Sequence, residues 1–198
     1  MFNKLVKFVA DLLVKWCIKK NRVFYIAGGT ANETVYLVRY IVYKGVFGCI
    51  YIHRFMRSDS QDPHDHPWNF WTYVISGGYH EVFYDRSKPK FKFEMKAIPN
   101  TNIRGLTCTE FSEYWSKSIN IREPGDFAYR RANDIHQVVV DKPRNMDEIE
   151  DAPYTICFMK PRIREWGFWP LEMNGSGFID WREYLDIKPG DPRIEGSE

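Results

Sequence analysis

The chain has 198 residues, 44% of them hydrophobic and 17% aromatic, with 7 Trp, 12 Tyr and 14 Phe. That is the length of one domain with enough apolar side chain for a core, which excludes a disordered chain. Formal charge is only +2, from 28 basic and 26 acidic side chains, so no global field draws in nucleic acid, and none is expected as a partner.

Phe2, Leu5, Val6, Val9, Leu12, Leu13 and Trp16 recur at helical spacing, with Lys4, Lys7, Asp11 and Lys15 between them. This predicts an amphipathic helix over residues 2–20, inside an N-terminal unit 1–22, that packs Leu5, Val9 and Leu12 on the domain. Asp11 and Lys15 interrupt the apolar run and no small-x-small cleavage site follows, so the segment does not read as a signal peptide. Lys4, Lys7, Lys15, Lys19, Lys20 and Arg22 against the lone Asp11 leave a second reading open, a helix that docks on a membrane surface or a partner. No stretch is long and apolar enough to span a bilayer.

From residue 34 the texture changes to short runs of Val, Ile, Tyr, Phe and Trp broken by Gly, Pro and Asn. Strands are expected at 35–43, 47–56, 70–75, 79–84, 91–97, 114–121, 126–130, 136–140 and 154–159, within a single domain 34–187. Many short strands with helix only at the ends indicate an antiparallel sandwich or barrel. Ser76-Gly77-Gly78 reads as a hairpin turn and Pro124-Gly125-Asp126 as another turn. The polar run 141–153 reads as an exposed loop, and the tail 188–198 as flexible. Cys17, Cys49, Cys108 and Cys157 form no Cys-x-x-Cys pair, which argues against a zinc ribbon or disulfide scaffold and for a reducing, cytoplasmic setting.

Candidate chemistry lies first in Asp62-Pro63-His64-Asp65-His66-Pro67-Trp68. On extended backbone, residues i and i+2 share a face, so the His64 and His66 imidazoles can reach one point. Downstream stands Pro124-Gly125-Asp126-Phe127-Ala128-Tyr129-Arg130-Arg131-Ala132-Asn133-Asp134-Ile135-His136. These two stretches resemble, in order, the two motifs of the cupins, the first with its strand ending Tyr73-Val74-Ile75-Ser76-Gly77-Gly78. The resemblance covers roughly residues 45 to 160. It implies an all-β fold, a cupin-type antiparallel β-barrel (double-stranded β-helix, or jelly roll) behind the N-terminal amphipathic helix. It also implies one divalent metal ion on His64, His66 and His136.

Two departures from the pattern matter. An acidic ligand usually follows the second motif-one His by about four residues, and here that neighbourhood reads Asn69-Phe70-Trp71. Either the shell is three histidines, as in the thiol-dioxygenase branch, or a carboxylate comes from elsewhere. Glu81 is the candidate additional ligand or acid/base group, and a solvent-facing strand Glu is the alternative. Arg131 stands where the second motif usually has Pro, which puts a basic group near the expected pocket. Ile52-His53-Arg54-Phe55, Arg57-Ser58-Asp59, His64 to Trp68, and Arg164-Glu165-Trp166-Gly167-Phe168 resemble stretches of a group of bacterial and phage cupins. That likeness spans most of the chain and leaves activity open.

Among other polar residues, Arg54, Arg57, Arg130 and Arg131 are candidates to clamp an anionic substrate, or form ordinary salt bridges with Asp59, Asp126 or Glu81. Tyr73, Tyr79 and Tyr129 are candidates to donate to a bound ligand, or are core residues. His53 and His80 fit no ligand spacing and read as structural or exposed, and Trp166, Trp169 and Trp181 as a packing latch. Three functions remain open. One is a non-haem iron dioxygenase acting on a small anionic or thiol substrate, with Fe(II) favoured for imidazole ligands. Another is an isomerase, epimerase or hydrolase using Zn, Mn or Ni. The last is a non-enzymatic barrel that binds a small ligand, with homodimerisation open.

Overall fold

The computed structural model describes residues 2–27, 35–59, 62–85, 109–111, 116–171 and 177–186. Helix α1 (Phe2–Lys19) precedes strands β1 (Val23–Ala27), β2 (Val35–Gly45), β3 (Gly48–Phe55), β4 (Phe70–Ser76) and β5 (Tyr79–Asp85). Then come β6 (Thr109–Phe111), β7 (Ser116–Arg122), β8 (Phe127–Arg130), β9 (Ile135–Val139) and β10 (Tyr154–Met159). Short strands β11 (Gly167–Phe168) and β12 (Ile179–Asp180) and the single turn α2 (Trp181–Tyr184) follow. The strand expected at 91–97 and the tail 188–198 lie outside the described residues. The run 141–153, expected as a plain loop, carries a 3-10 helix at Met146–Asp151, whose start is fixed by the Asn145 N–H donating to Glu148 Oε2 at 3.1 Å.

The strands form two antiparallel sheets, ordered β1-β2-β3-β10-β4-β8 and β6-β7-β5-β9, with β11-β12 as a separate pair. Val74 of the first sheet packs against Tyr79 and Val138 of the second, so the sheets face one another. Ser76-Gly77-Gly78 is not a hairpin turn. It carries the chain from one sheet to the other, because β4 pairs with β10 and β8 while β5 pairs with β7 and β9. Gly77 sits at φ +68, and a Cβ there would meet Pro153 Cα at 2.9 Å, so only glycine fits this corner. Pro124-Gly125-Asp126 makes the return crossing from β7 to β8, with Gly125 at φ +102. Glu81 thereby lies in the sheet opposite β4, not on a paired strand.

The six-stranded sheet is apolar on both faces. Its outer face carries Val38, Tyr40, Ile52, Ile75 and Tyr154, which α1 covers with Ala10 and Cys17. Helix docking therefore uses a different arc from the one expected. Val6, Ala10, Leu13, Val14 and Cys17 face the sheet, whereas Leu5, Val9 and Leu12 stay 60%, 46% and 50% exposed. The apolar arc of the helix is wider than the sheet can cover, and its spacing alone does not say which half is buried. Val6, Leu13 and Val14 are partly buried, so each contributes less than the about 1.5–3 kcal/mol of a fully buried aliphatic side chain.

Candidate metal centre

The segment around His64 runs antiparallel to residues 132–136. His64 and His136 exchange both backbone hydrogen bonds at 2.9 Å, and the His66 N–H donates to Ala132 O at 3.0 Å. Extended backbone turns Asp65 to the opposite side, where it is 1% exposed. There it accepts from the Gly167 N–H at 2.9 Å, from Arg164 Nη1 at 2.6 Å and from Trp169 Nε1 at 3.3 Å. Asp62 accepts from the Leu171 N–H and the Tyr184 hydroxyl. The two aspartates thus tie the histidine segment to residues 164–171 and to Tyr184.

Freed from backbone work, the three imidazoles converge: one ligand atom from each of His64, His66 and His136 lies within 4.8 Å of the others. His66 Nε2 and His136 Nε2 are 2.7 Å apart. Behind them, His136 Nδ1 lies 2.7 Å from Glu81 Oε1. An ionised carboxylate only accepts, so His136 carries its proton on Nδ1 and presents the Nε2 lone pair to the cluster. Burial would raise the Glu81 carboxyl, but hydrogen bonds from Arg130 and His136 outweigh it and hold the group far below the carboxylate range. Arg122 Nε is a third donor, at 2.8 Å. Glu81 is therefore not beside the ligand atoms. It buttresses His136 from behind, the arrangement that metal-binding histidines commonly show.

Burial also decides the charge of the other two. Desolvation, then the neighbouring His136, holds His64 well below the ordinary imidazole range, and the same causes act on His66. Neutral imidazoles are what a metal needs. His64 Nδ1 is buried without a hydrogen-bond partner, and its closest carboxylate, Asp59 Oδ2, is 3.8 Å away. The donor set fits one divalent ion: three converging imidazole nitrogens, one ring backed by a carboxylate and one with an unsatisfied buried atom. At the position where the family places an acidic ligand, Phe70 instead lies edge-on to His66, ring centroids 4.8 Å apart.

The cluster opens into a cavity of about 90 Å³ between the sheets. Arg54, Arg57, Tyr73, Tyr129 and Arg131 do not line it. Arg54 points outward, bonding Glu150 O and Oε2 at 3.0 Å and lying 3.7 Å above the Tyr154 ring. Arg57 lies near Asp59 and Tyr36 without reaching the wall. Tyr73 donates to Asn3 Oδ1 at 3.1 Å beneath α1, Tyr129 packs on Trp71 on the outer face, and Arg131 is exposed. The walls are instead Tyr36, Arg39, His53, Asp59, Tyr79 and Arg130. Burial pushes the Asp59 carboxyl up to about 6, against the pull of the Val138 N–H. Opposite the triad, Arg39 Nε donates to His53 Nε2 at 3.1 Å and Cys157 Sγ lies 3.5 Å from His53 Nδ1.

No protein-family model and no curated protein matches the chain. Among solved structures it resembles an RmlC-like cupin from Shewanella frigidimarina NCIMB 400, at 15% identity over 71% of this chain and 84% of that one, TM-score 0.39. It also resembles an uncharacterized conserved protein with a double-stranded β-helix domain from Klebsiella pneumoniae subsp. pneumoniae MGH 78578, at 12% identity over 72% and 89%, TM-score 0.38. The fold is a cupin-type double-stranded β-helix. Its strand order and facing sheets carry that statement. Fe(II)-HppE with the alternative substrate (S)-1-HPP matches at 10% identity over 70% of this chain, TM-score 0.41. The chain covers 56% of that HppE chain's length. No helix among the described residues is long and apolar enough to cross a membrane.

Proposed function

We propose that His64, His66 and His136 hold one divalent metal ion and that the adjoining cavity takes a small anionic or thiol substrate for non-haem iron oxygenase chemistry. The convergence of three imidazoles at the cavity wall carries the reading. Imidazole suits Fe(II), and a bound ion supplies Lewis acidity and, as iron, redox chemistry toward dioxygen. The chain's own groups do the rest. Glu81 fixes the His136 tautomer, Arg39 and Arg130 favour an anion in the cavity, and the facing apolar walls limit water.

Metal analysis of protein purified without chelator tests the first half. Wild type should carry about one equivalent, and a His64→Ala/His136→Ala double variant should carry none. Oxygen uptake by the iron-loaded protein, over thiols, amino acids and other small carboxylates, tests the second. Turnover of a substrate by the zinc form, with no oxygen uptake by the iron form, would replace oxygenase chemistry with the second reading. That reading is metal-assisted proton transfer in an isomerase or hydrolase, and Asp59 favours it, since a cavity carboxyl titrating near 6 suits acid–base work.

A further inference from the structure

Away from the cavity, the outer face of the six-stranded sheet divides into two rows. The first runs in register through Tyr40, Ile52, Ile156 and Tyr73, and α1 packs over it. The second lies two residues away on β3, β10 and β4, and three on β2 where the register shifts, through Tyr43, Ile50, Phe158, Trp71 and Tyr129, in register across five strands. Among the described residues no helix covers this second row. Tyr43, Phe158 and Tyr129 are 44%, 37% and 41% exposed, and at the β2–β3 turn Val46 and Phe47 are 84% and 85% exposed. Lys160 Nζ lies 4.9 Å over the Trp71 ring and 6.0 Å over Tyr129.

Helix α1 adds a second apolar strip. At 100° per residue, Phe8, Leu12, Leu5, Trp16, Val9 and Phe2 follow one another around one flank of the helix, and all are exposed. Lys4, Lys15 and Lys19 border this strip and are exposed as well, while the helix's one acidic residue, Asp11, is already paired with Lys7 at 2.9 Å. A monomeric surface seldom leaves two such aromatic and aliphatic strips open.

We propose that this face, the α1 strip with the Tyr43–Tyr129 row, is a docking surface for an anionic lipid bilayer. Charge complementarity selects the occupant. An aliphatic and aromatic strip bordered by lysines is the make-up of helices that lie in the headgroup region of anionic membranes, and Trp and Tyr favour the same depth. A second copy of the chain is disfavoured, because a two-fold contact would bring the lysine-bordered strips of both copies, Lys4, Lys15 and Lys19 of each, into one interface. The surface is independent of the metal centre, whose residues lie between the sheets.

The full chain, mixed with vesicles of pure phosphatidylcholine or of phosphatidylcholine with phosphatidylglycerol, provides the test by sedimentation. Binding should be at least about tenfold stronger to the anionic vesicles and should fall with added salt. Leu5→Gln/Leu12→Gln and Phe158→Gln each alter exposed side chains, so melting temperature should hold while vesicle binding drops about tenfold or more. Lys15→Glu/Lys19→Glu should lose only the preference for anionic lipid. Absence of sedimentation with either vesicle overturns the proposal. So does binding unchanged by these substitutions, or a concentration-dependent dimer that Leu5→Gln/Leu12→Gln abolishes.

Discussion

Two histidine clusters share the cavity and differ in what surrounds the rings. His53 is as buried as His136, each 5% exposed, and burial with the Arg39 charge depresses its basicity as burial does for His64 and His66. Yet Arg39, which only donates, consumes the His53 Nε2 lone pair, and Nδ1 faces the Cys157 sulfur. In the triad the Nε2 atoms of His66 and His136 face one another, and His136 turns its proton away to Glu81. Burial alone does not make a ligand. The partner of the second ring nitrogen decides whether the first is presented or spent.

The largest effect that sharpens this contrast is loss of metal. His66→Ala should abolish stoichiometric metal binding, whereas His53→Ala should leave metal content unchanged, as read by elemental analysis of protein purified without chelator. Equal loss in both variants would erase the distinction. Glu81→Gln comes next. It removes the acceptor behind His136 and leaves Arg130 and Arg122 without a carboxylate, so metal affinity should fall about 10- to 100-fold. Unfolding free energy should also drop by about 3 kcal/mol in chemical denaturation. His53→Ala should cost less, about 1–3 kcal/mol, mainly through the unsatisfied donors left on the cavity wall.

The smallest expected effect is on pH dependence without metal. His64 and His66 titrate below the ordinary imidazole value when folded, so the stability they allow is present above about pH 6.5 and is lost as pH falls through their lower folded values. Asp59 acts the other way. Its folded value is raised from 3.8 to about 6, so its contribution is present below 3.8 and lost as pH rises through about 6. Two imidazoles against one carboxyl predict a melting temperature, in chelator, that falls between pH 7 and pH 5. Asp59→Asn should steepen that fall, and a flat profile in the variant would refute this assignment of signs.

The sequence makes the strand pattern and the two histidine segments readable because both obey a period of two and are punctuated by glycine turns. What it hides is phase. In β4 the inward residues Phe70, Thr72 and Val74 alternate with outward Trp71 and Tyr73, and α1 renders the outer set nearly as apolar as the inner one. Composition therefore cannot tell which set sees the cavity, and Tyr73 and Arg54 fall on the wrong side. Arg39, His53 and Asp59 lie upstream of the first motif, on β2, β3 and the stretch that follows, where no spacing links them to it. Only the facing of the sheets brings them to the triad. Glu81 was legible as a residue of interest but not in its role, since the glycine corner moves it to the opposite sheet.

The Asp65 clasp gives the two stretches near residues 64–68 and 164–168 a common fate. Asp65 receives the Gly167 N–H and Arg164, and a Cβ at position 167 would meet Ile179 O at 2.1 Å. Gly167→Ala should thus disturb the histidine segment from a hundred residues away. Functionally, the two pentapeptides form a single word. A recombinant that takes one from a distant homologue and keeps its own copy of the other would spell neither, however well each half folds.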